Sequence, residues 1–151
     1  MRKRISTRLA ATSVLAAGLA GAVFAHSGVG NAAVKARMAL MGDIKAATGT
    51  LGGMARGTIP YDAAKAKAAR AALIAKAEGI GPAFATRASD PKSEARARIW
   101  TDWDGFTGKA AAMRAAAQKL DTRSARSIGD GMAALAESCG TCHKTYRLSK
   151  D

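Results

Sequence analysis

The sequence predicts an all-α protein, an antiparallel four-helix bundle in a single domain. Three observations support this: a composition rich in alanine and poor in aromatic residues, apolar residues at helical spacing, and mostly short connections between the helical stretches. Aromatic residues make up 5% of the 151 residues, and only three prolines interrupt the chain. Alanine favours helices, and one domain is the ordinary expectation at this length.

The first helix is predicted over residues 31–56, where apolar residues recur along one face. They are Val34, Met38, Met41, Ile44, Thr48, Leu51 and Ala55. Glycines at positions 42, 49, 52 and 53 weaken this helix, each by about 1 kcal/mol relative to alanine. We therefore expect a close helix contact or a local bend at these glycines.

The second helix is predicted to begin after a turn at 57–60, with Asp62 as its N-cap, and to end near Glu78. Glycines and a proline then break the chain. Asp90 followed by Pro91 predicts the N-cap and the first residue of a third helix, because proline is favoured at the first helical position.

The third and fourth helices have the clearest apolar seams, with spacings that alternate between four and three residues. The seam of the third helix is Ile99, Trp103, Phe106, Ala110, Met113, Ala117 and Leu120. The seam of the fourth, over about 122–148, is Ile128, Met132, Leu135, Cys139, Cys142 and Tyr146. Both cysteines thus lie on the stripe predicted to be buried, and the facing helices of a bundle are where cofactors are held.

Cys139-Gly140-Thr141-Cys142-His143 is a Cys-x-x-Cys-His sequence, the attachment signature of a c-type haem. Two thiols add to the haem vinyl groups as thioethers, and the adjacent imidazole binds the iron. Residues three apart share a helix face, so both sulfurs can reach one porphyrin edge. We predict one covalently attached haem c on Cys139 and Cys142, with His143 as the proximal axial ligand.

Three other interpretations of this motif fit the sequence less well. A structural zinc site needs four ligands, whereas the chain has two cysteines and two histidines, and His26 lies far from the motif. A thioredoxin-like redox pair would open a helix after a strand, and no strand is evident here. A disulfide would explain neither the histidine nor the terminal position.

The first 25 residues are predicted to be a secretory signal peptide. A cationic start precedes an alanine-rich apolar run over 9–24, and Val23-Phe24-Ala25 fits a small-x-small cleavage site. That run is shorter than the roughly 20 residues of a spanning helix, so we expect no permanent membrane anchor. Cleavage would leave residues 26–151 and lower the formal charge from +13 to +9, and Sec-type export would place the protein in the periplasm.

The remaining basic residues are spread along every predicted helix without interleaved aromatic residues, which does not favour nucleic acid as a partner. Such a surface favours acidic redox partners or anionic lipid. The sequence shows no second histidine near a nucleophile and no paired-carboxylate motif, so we expect no enzymic activity.

Several stretches along the chain follow one family pattern. They are Val34-Lys35-Ala36-Arg37 with Met41, Gly57 with Tyr61-Asp62-Ala63, Ser93-Glu94-Ala95 leading to Ile99-Trp100-Thr101-Asp102, Phe106, and the C-terminal run from Cys139 to Arg147. In these stretches the chain resembles the class II c-type cytochromes, the cytochrome c′ family. The resemblance implies an up-down-up-down four-helix bundle that holds one haem.

The resemblance also implies roles for single residues around the haem. It implies Arg37 near a haem propionate, Met38 and Glu94 bordering the haem, Arg147 close to the proximal imidazole, and Met41 on the distal face above the iron. From the residues alone, the two arginines could be ordinary surface charges and Met38 a core residue. Trp100 and Trp103 are better interpreted as core anchors than as electron relays.

Met41 separates two functions within this family. Low-spin members bind the iron through a distal methionine and carry single electrons, whereas five-coordinate, high-spin members bind NO or CO. Gly42 and Gly140 depart from the high-spin pattern, so the low-spin branch is predicted: a periplasmic electron carrier with His143 and Met41 as axial ligands. The alternatives are a five-coordinate, gas-binding cytochrome and a non-redox bundle with a disulfide. The resemblance further implies a monomer or a weak homodimer.

Overall fold

The computed structural model of the chain describes residues 28–149, so the predicted signal peptide lies outside the described residues. Six helices occupy this part of the chain: α1 (Ala32–Ala55), α2 (Ala63–Glu78), α3 (Ile80–Phe84), α4 (Arg98–Thr101), α5 (Trp103–Lys119) and α6 (Ala125–Tyr146). Residues 28–149 contain no β-strand beyond a single antiparallel bridge between Ala95 and Arg147. The all-α prediction is confirmed.

The four long helices form the bundle. α1 packs against α2 and α6, and α5 packs against the same two helices. Short connections join α1 to α2 and α5 to α6, so neighbouring helices run antiparallel, as in an up-down-up-down bundle. The two short helices, α3 and α4, belong to the long connection between α2 and α5.

The predicted apolar seams supply the core. On α5 the seam residues Phe106, Ala110, Met113 and Ala117 are buried. On α6 the buried seam residues are Ile128, Leu135 and Tyr146, while Met132, Cys139 and Cys142 are partly buried. On α1 the buried face is rotated slightly from the predicted one, and it includes Arg37, which is only 3% exposed.

Polar side chains cap the starts of three of the four long helices, α1, α2 and α6. Asn31 accepts hydrogen bonds from the amides of Ala33 and Val34, and Ser124 forms a reciprocal capping box with Ser127. The predicted N-cap of the second helix is also observed, since the Asp62 carboxylate accepts the Lys65 amide at 2.9 Å.

The predicted start of the third helix is wrong. Residues 91–97 are not helical, and Asp90 caps no helix of its own, because its carboxylate accepts the amides of Gly30 and Asn31 at 2.9 and 3.0 Å. The helical stretch begins at Arg98 and breaks at Asp102 (φ −137°, ψ 55°) before α5. Long-range hydrogen bonds outweigh the local Asp-Pro signal here.

The glycines of α1 divide into two pairs. A Cβ at Gly52 would lie 3.6 Å from the Met132 terminal methyl on α6, so the predicted helix contact is confirmed there. One at Gly53 would overlap the Ile59 side chain, which belongs to the turn after α1 and not to another helix. At Gly42 and Gly49 a Cβ would meet nothing within 4 Å, so the expected contact is absent there. No helix among residues 28–149 has the length and apolar character needed to cross a membrane.

Candidate haem site

The last turns of α6 carry the Cys-x-x-Cys-His motif. Both thiols are free, both cysteines are partly buried, and Cys142 packs against the core. Because they are three residues apart on a helix, the two sulfurs share one face. Within the described part of the chain, no three His, Cys, Asp or Glu side chains form a metal-binding cluster, so these residues offer no zinc cage.

The electrostatics of the two cysteines do not favour a redox-active thiol pair. Burial raises the pKa of both thiols, and the Cys139 sulfur raises the pKa of Cys142 further, against a smaller lowering by Lys109. Reactive cysteines have a lowered pKa, because the thiolate is the nucleophile. The pair therefore differs electrostatically from a thioredoxin-type centre.

His143 is exposed in the last turn of α6, next to Cys142. Partial burial of its ring against the rest of the chain lowers its pKa. The Arg147 charge lowers that pKa further, and Glu94 raises it. A lowered pKa favours the neutral imidazole at neutral pH. Neutral imidazole is the form that binds a metal.

The register of α1 against α6 relates Met41 to His143. A Cβ at Gly52 would lie 3.6 Å from Met132, and one at Gly129 would lie 3.9 Å from the Ala55 Cβ, so the two helices run antiparallel. Met41 precedes Gly52 by as many residues as His143 follows Met132. Because both helices rise equally per residue, Met41 and His143 lie at the same level of the bundle.

Met41 lies on the inner side of α1, partly buried and packed against the core. Met38, one turn earlier, is also partly buried. A methionine thioether is a soft ligand suited to haem iron. The structure thus brings a thioether and an imidazole to the same level on neighbouring helices.

Arg37 is buried and is therefore not an ordinary surface charge. Its guanidinium donates to the carbonyl of Ala83 at 2.9 Å and to that of Ala88 at 3.2 Å, and it also donates to the Thr86 carbonyl. It also stacks against Phe84 and Trp100, at 4.8 and 5.2 Å from the ring centroids. Contact with a propionate stays a prediction, and it would use the N–H groups that these carbonyls leave free.

Glu94 and Arg147 form one ion pair. The Arg147 Nε donates to Glu94 Oε2 at 2.6 Å, one turn after His143 on α6. Both charges act on the His143 imidazole, in opposite directions. The structure therefore brings these two predicted site residues together beside His143, and their contact with the haem stays a prediction.

Trp100 and Trp103 serve as anchors at this end of the bundle. The Trp100 indole N–H donates to the Phe84 carbonyl at 2.8 Å. Trp103 packs on Phe106 with ring centroids 5.8 Å apart, and Phe106 in turn makes an edge-on contact with Tyr146 at 5.4 Å. The rings of Trp103, Phe106 and Tyr146 thus pack together at the end of α6.

One polar contact of the site was not predicted from the sequence. The Tyr146 hydroxyl donates to Asp102 Oδ2 at 2.8 Å, which ties the end of α6 to the start of α5. Tyr146 was predicted only as a seam residue, and Asp102 only as part of a shared stretch. Nothing in the local sequence links two residues so far apart in the chain.

The donor set fits a covalently bound haem. Two free thiols lie on one face of α6, a histidine follows them directly, and a thioether lies at the same level on α1. Cys139 and Cys142 would hold the porphyrin, and His143 would bind its iron.

Comparisons with known proteins agree with this site. The family model for cytochrome c′ matches residues 32–147. A cytochrome c-556 of Agrobacterium tumefaciens is 36% identical over 120 residues, covering 77% of this chain and 94% of the relative. A solved cytochrome c′ of Rhodobacter sphaeroides has a TM-score of 0.71 at 28% identity, covering 78% of this chain and 96% of that one.

A ferrous cytochrome c′ from Alcaligenes xylosoxidans with bound NO is similar at 27% identity and a TM-score of 0.67, covering 78% of this chain and 94% of that one. The matched stretch of the family model includes every candidate site residue from Arg37 to Arg147. The chain belongs to the cytochrome c′ family of class II c-type cytochromes, and it is a four-helix bundle with one covalently attached haem c.

Proposed function

We propose that this protein is a single-electron carrier of the periplasm in which His143 and Met41 bind the haem iron from opposite faces. The observation that carries the proposal is the register of α1 and α6, because it puts Met41 level with His143. Bound haem supplies the one-electron couple of its iron. The chain's own residues supply the two axial ligands, the two covalent links and the enclosing bundle.

The chemistry of the ligand pair suits electron transfer. A thioether opposite an imidazole raises the reduction potential relative to two nitrogen ligands. A filled sixth position leaves both oxidation states with the same ligands. Electron transfer of this kind needs no group that transforms a substrate, and we propose that the protein is not an enzyme.

Basic side chains near the haem motif support an acidic redox partner. Lys109 is close enough to Cys142 to act on its pKa, and Lys144 follows His143 on the exposed side of α6. A formal charge of +9 after removal of residues 1–25 would steer such a partner by long-range attraction. The predicted signal peptide supports export to the periplasm.

The exposed face of α1 supports a monomer or a weak homodimer. Gly42, Ala46 and Gly49 are exposed along it, and a Cβ at either glycine would meet nothing within 4 Å of this chain. Small side chains permit close approach of a second helix, but they bury little apolar area. Light scattering is expected to show a monomer or a concentration-dependent dimer, and a stable tetramer would contradict this assignment.

The alternative is a five-coordinate protein that binds NO or CO, as favoured by the similarity to an NO-bound cytochrome c′. In that case Met41 lines an apolar distal pocket without binding the iron. The two proposals differ in the spectrum of the purified protein. The electron carrier is low-spin in both oxidation states and shows the weak near-infrared charge-transfer band of methionine-ligated ferric haem.

The Met41→Ala variant tests the assignment, with Met38→Ala as the matched control one turn away. Met41→Ala is expected to convert the spectrum toward high-spin, to let CO bind the ferrous protein readily and to lower the reduction potential, because the soft sixth ligand is lost. Met38→Ala is expected to stay low-spin. A high-spin wild-type spectrum at neutral pH would overturn the electron-carrier assignment in favour of the gas-binding alternative.

Mass spectrometry tests the covalent links separately. The mature protein should exceed its polypeptide mass by one haem, and the haem should resist extraction by acidic acetone. A polypeptide with a disulfide between Cys139 and Cys142 and no haem would contradict the attachment site.

A further inference from the structure

The connection between α2 and α5, residues 79–102, contacts both helices that carry the predicted iron ligands. We call this segment the strap. It contains α3 and α4 but lies outside the four bundle helices, and the local sequence predicted it as a break followed by a helix start. Its hydrogen bonds instead run to α1 on one side and to the end of α6 on the other.

One contact between the strap and α1 is made by the buried guanidinium of Arg37. That side chain donates to three strap carbonyls, those of Ala83, Thr86 and Ala88, and lies against the rings of Phe84 and Trp100. A single arginine fork thereby fixes the path of the chain after α3. Arg37 lies one helical turn before Met41.

A second contact holds the start of α1. The Asp90 carboxylate accepts the backbone amides of Gly30 and Asn31 at 2.9 and 3.0 Å, and its other oxygen accepts the Lys92 amide at 2.9 Å. These amides lower the pKa of Asp90, so the carboxylate is charged when it caps this end of α1.

The strap holds α6 through backbone and side-chain bonds to residues 146–148. The Arg96 amide donates to the Tyr146 carbonyl at 2.9 Å, and the Leu148 amide donates to the Glu94 carbonyl at 2.8 Å. The Arg96 Nε donates to the Arg147 carbonyl at 2.9 Å, and the Glu94–Arg147 ion pair lies beside these bonds. The partners of the strap on this side are residues 146–148, which begin about one helical turn after His143.

We propose that the strap sets the separation of α1 and α6 at the level of Met41 and His143, and thereby controls whether the distal position of the iron is filled. Its contact on α1 is one turn from Met41 and its contacts on α6 are one turn from His143, so it joins the two helices just beyond the two ligands. The proposal rests on the proposed function in taking these two residues as the iron-facing side chains. Arg37, Glu94 and Asp90 are positioning residues in it.

Two substitutions loosen the strap, and each has a matched control. Arg37→Lys keeps the charge but loses the fork that reaches three carbonyls. Its control is Arg70→Lys, because Arg70 also donates to backbone carbonyls, those of Ala117 and Gln118, at the other end of the bundle. Glu94→Gln removes the ion pair with Arg147, and its control is Glu78→Gln, which removes the Glu78–Arg114 pair at 3.0 Å.

The measurements are made on the haem-loaded protein. Arg37→Lys and Glu94→Gln should each lose part of the near-infrared methionine band and bind CO faster in the ferrous state than their controls, which should behave as the wild type does. Hydrogen exchange gives a readout independent of the haem spectrum. The Arg96 and Leu148 amides should lose protection in Glu94→Gln and keep it in Glu78→Gln.

The outcomes separate the strap from the ligand assignment. A high-spin wild type overturns the role of Met41 as a ligand, yet the strap still requires that Arg37→Lys and Glu94→Gln change the CO association rate relative to their controls. If strap amides exchange faster but the band and the CO rate match the controls, the strap proposal is wrong. Should Arg37→Lys not fold, Asp90→Asn and Glu94→Gln provide the same comparison.

Discussion

The two ends of the bundle are built in different ways. At the end where α1 stops and α6 starts, helices approach closely over small residues, as Gly52 does beside Met132, and the connecting turns are short. At the opposite end, where α1 starts and α6 stops, the rings of Phe84 and Phe106 pack 5.1 Å apart and the long strap contacts both α1 and the end of α6. We call these the closed end and the haem end.

This difference shows how one bundle can be tight and still hold a large cofactor. Close packing at the closed end depends on the helices themselves, because a glycine lets two backbones approach. At the haem end the side chains of α1 and α6 must leave room for a porphyrin, so the helices are tied through a third segment instead. Hydrogen bonds from Arg37 and to Glu94 make that tie.

The largest expected effect comes from breaking the aromatic cluster of the haem end. Phe106 is 3% exposed and contacts the rings of Phe84, Trp103 and Tyr146. Phe106→Ala should lower the free energy of unfolding by about 3–5 kcal/mol, the usual cost of removing a buried phenylalanine. Urea unfolding followed by circular dichroism measures this, with Phe106→Leu as a milder control. A loss below about 1 kcal/mol would show that the cluster is not closely packed.

How far the sequence could predict this molecule also differs between its two ends. The bundle helices and the two apolar seams followed from periodicity, because burial of one helix face is a local property of the sequence. The Asp62 N-cap followed from a local helix-start signal. The path of residues 79–102 did not. Asp90 and Pro91 have the local signal of a helix start, but the Asp90 carboxylate accepts hydrogen bonds from the amides of Gly30 and Asn31 instead.

The site shows the same contrast. Cys139, Cys142 and His143 lie within five consecutive residues, so their spacing alone predicted the haem. The burial of Arg37 and the pairing of Glu94 with Arg147 depend on where the strap runs, and the resemblance to a family implied only that these residues lie near the haem. A hydrogen bond between Tyr146 and Asp102 leaves no trace in local spacing at all.

A smaller effect is expected from two glycines of α5 that differ only in their surroundings. A Cβ at Gly105 would overlap the Tyr146 hydroxyl and the Asp102 carboxylate, whereas one at Gly108 would meet nothing within 4 Å. Gly108→Ala should therefore stabilise the protein by about 1 kcal/mol, the helix preference of alanine over glycine. Gly105→Ala should instead lower the melting temperature, because it displaces the hydrogen bond at the haem end. Equal stabilisation by both substitutions would show that this bond is dispensable.

The smallest effect is expected from removing a single tyrosine hydroxyl. The pH dependence of that effect should differ between the haem end and the closed end of the bundle. Tyr146 donates to the titratable Asp102 at the haem end, and Tyr61 donates to the Thr122 carbonyl at 2.9 Å at the closed end. The Tyr146 hydrogen bond, followed by that from Arg98, holds the pKa of Asp102 below its usual range.

A carboxyl group whose pKa is lowered on folding stabilises the protein above its unfolded pKa, near 4, and loses that contribution as the pH falls through the folded pKa. Tyr146→Phe removes the main cause of the lowered pKa. The stability difference between wild type and Tyr146→Phe should therefore be full at neutral pH and shrink below about pH 4. Tyr61→Phe removes a bond to an uncharged carbonyl, so its smaller difference should not change with pH. Thermal unfolding between pH 3 and 7 tests this, and parallel pH profiles for the two variants would mean that the Tyr146 hydroxyl does not control the ionisation of Asp102.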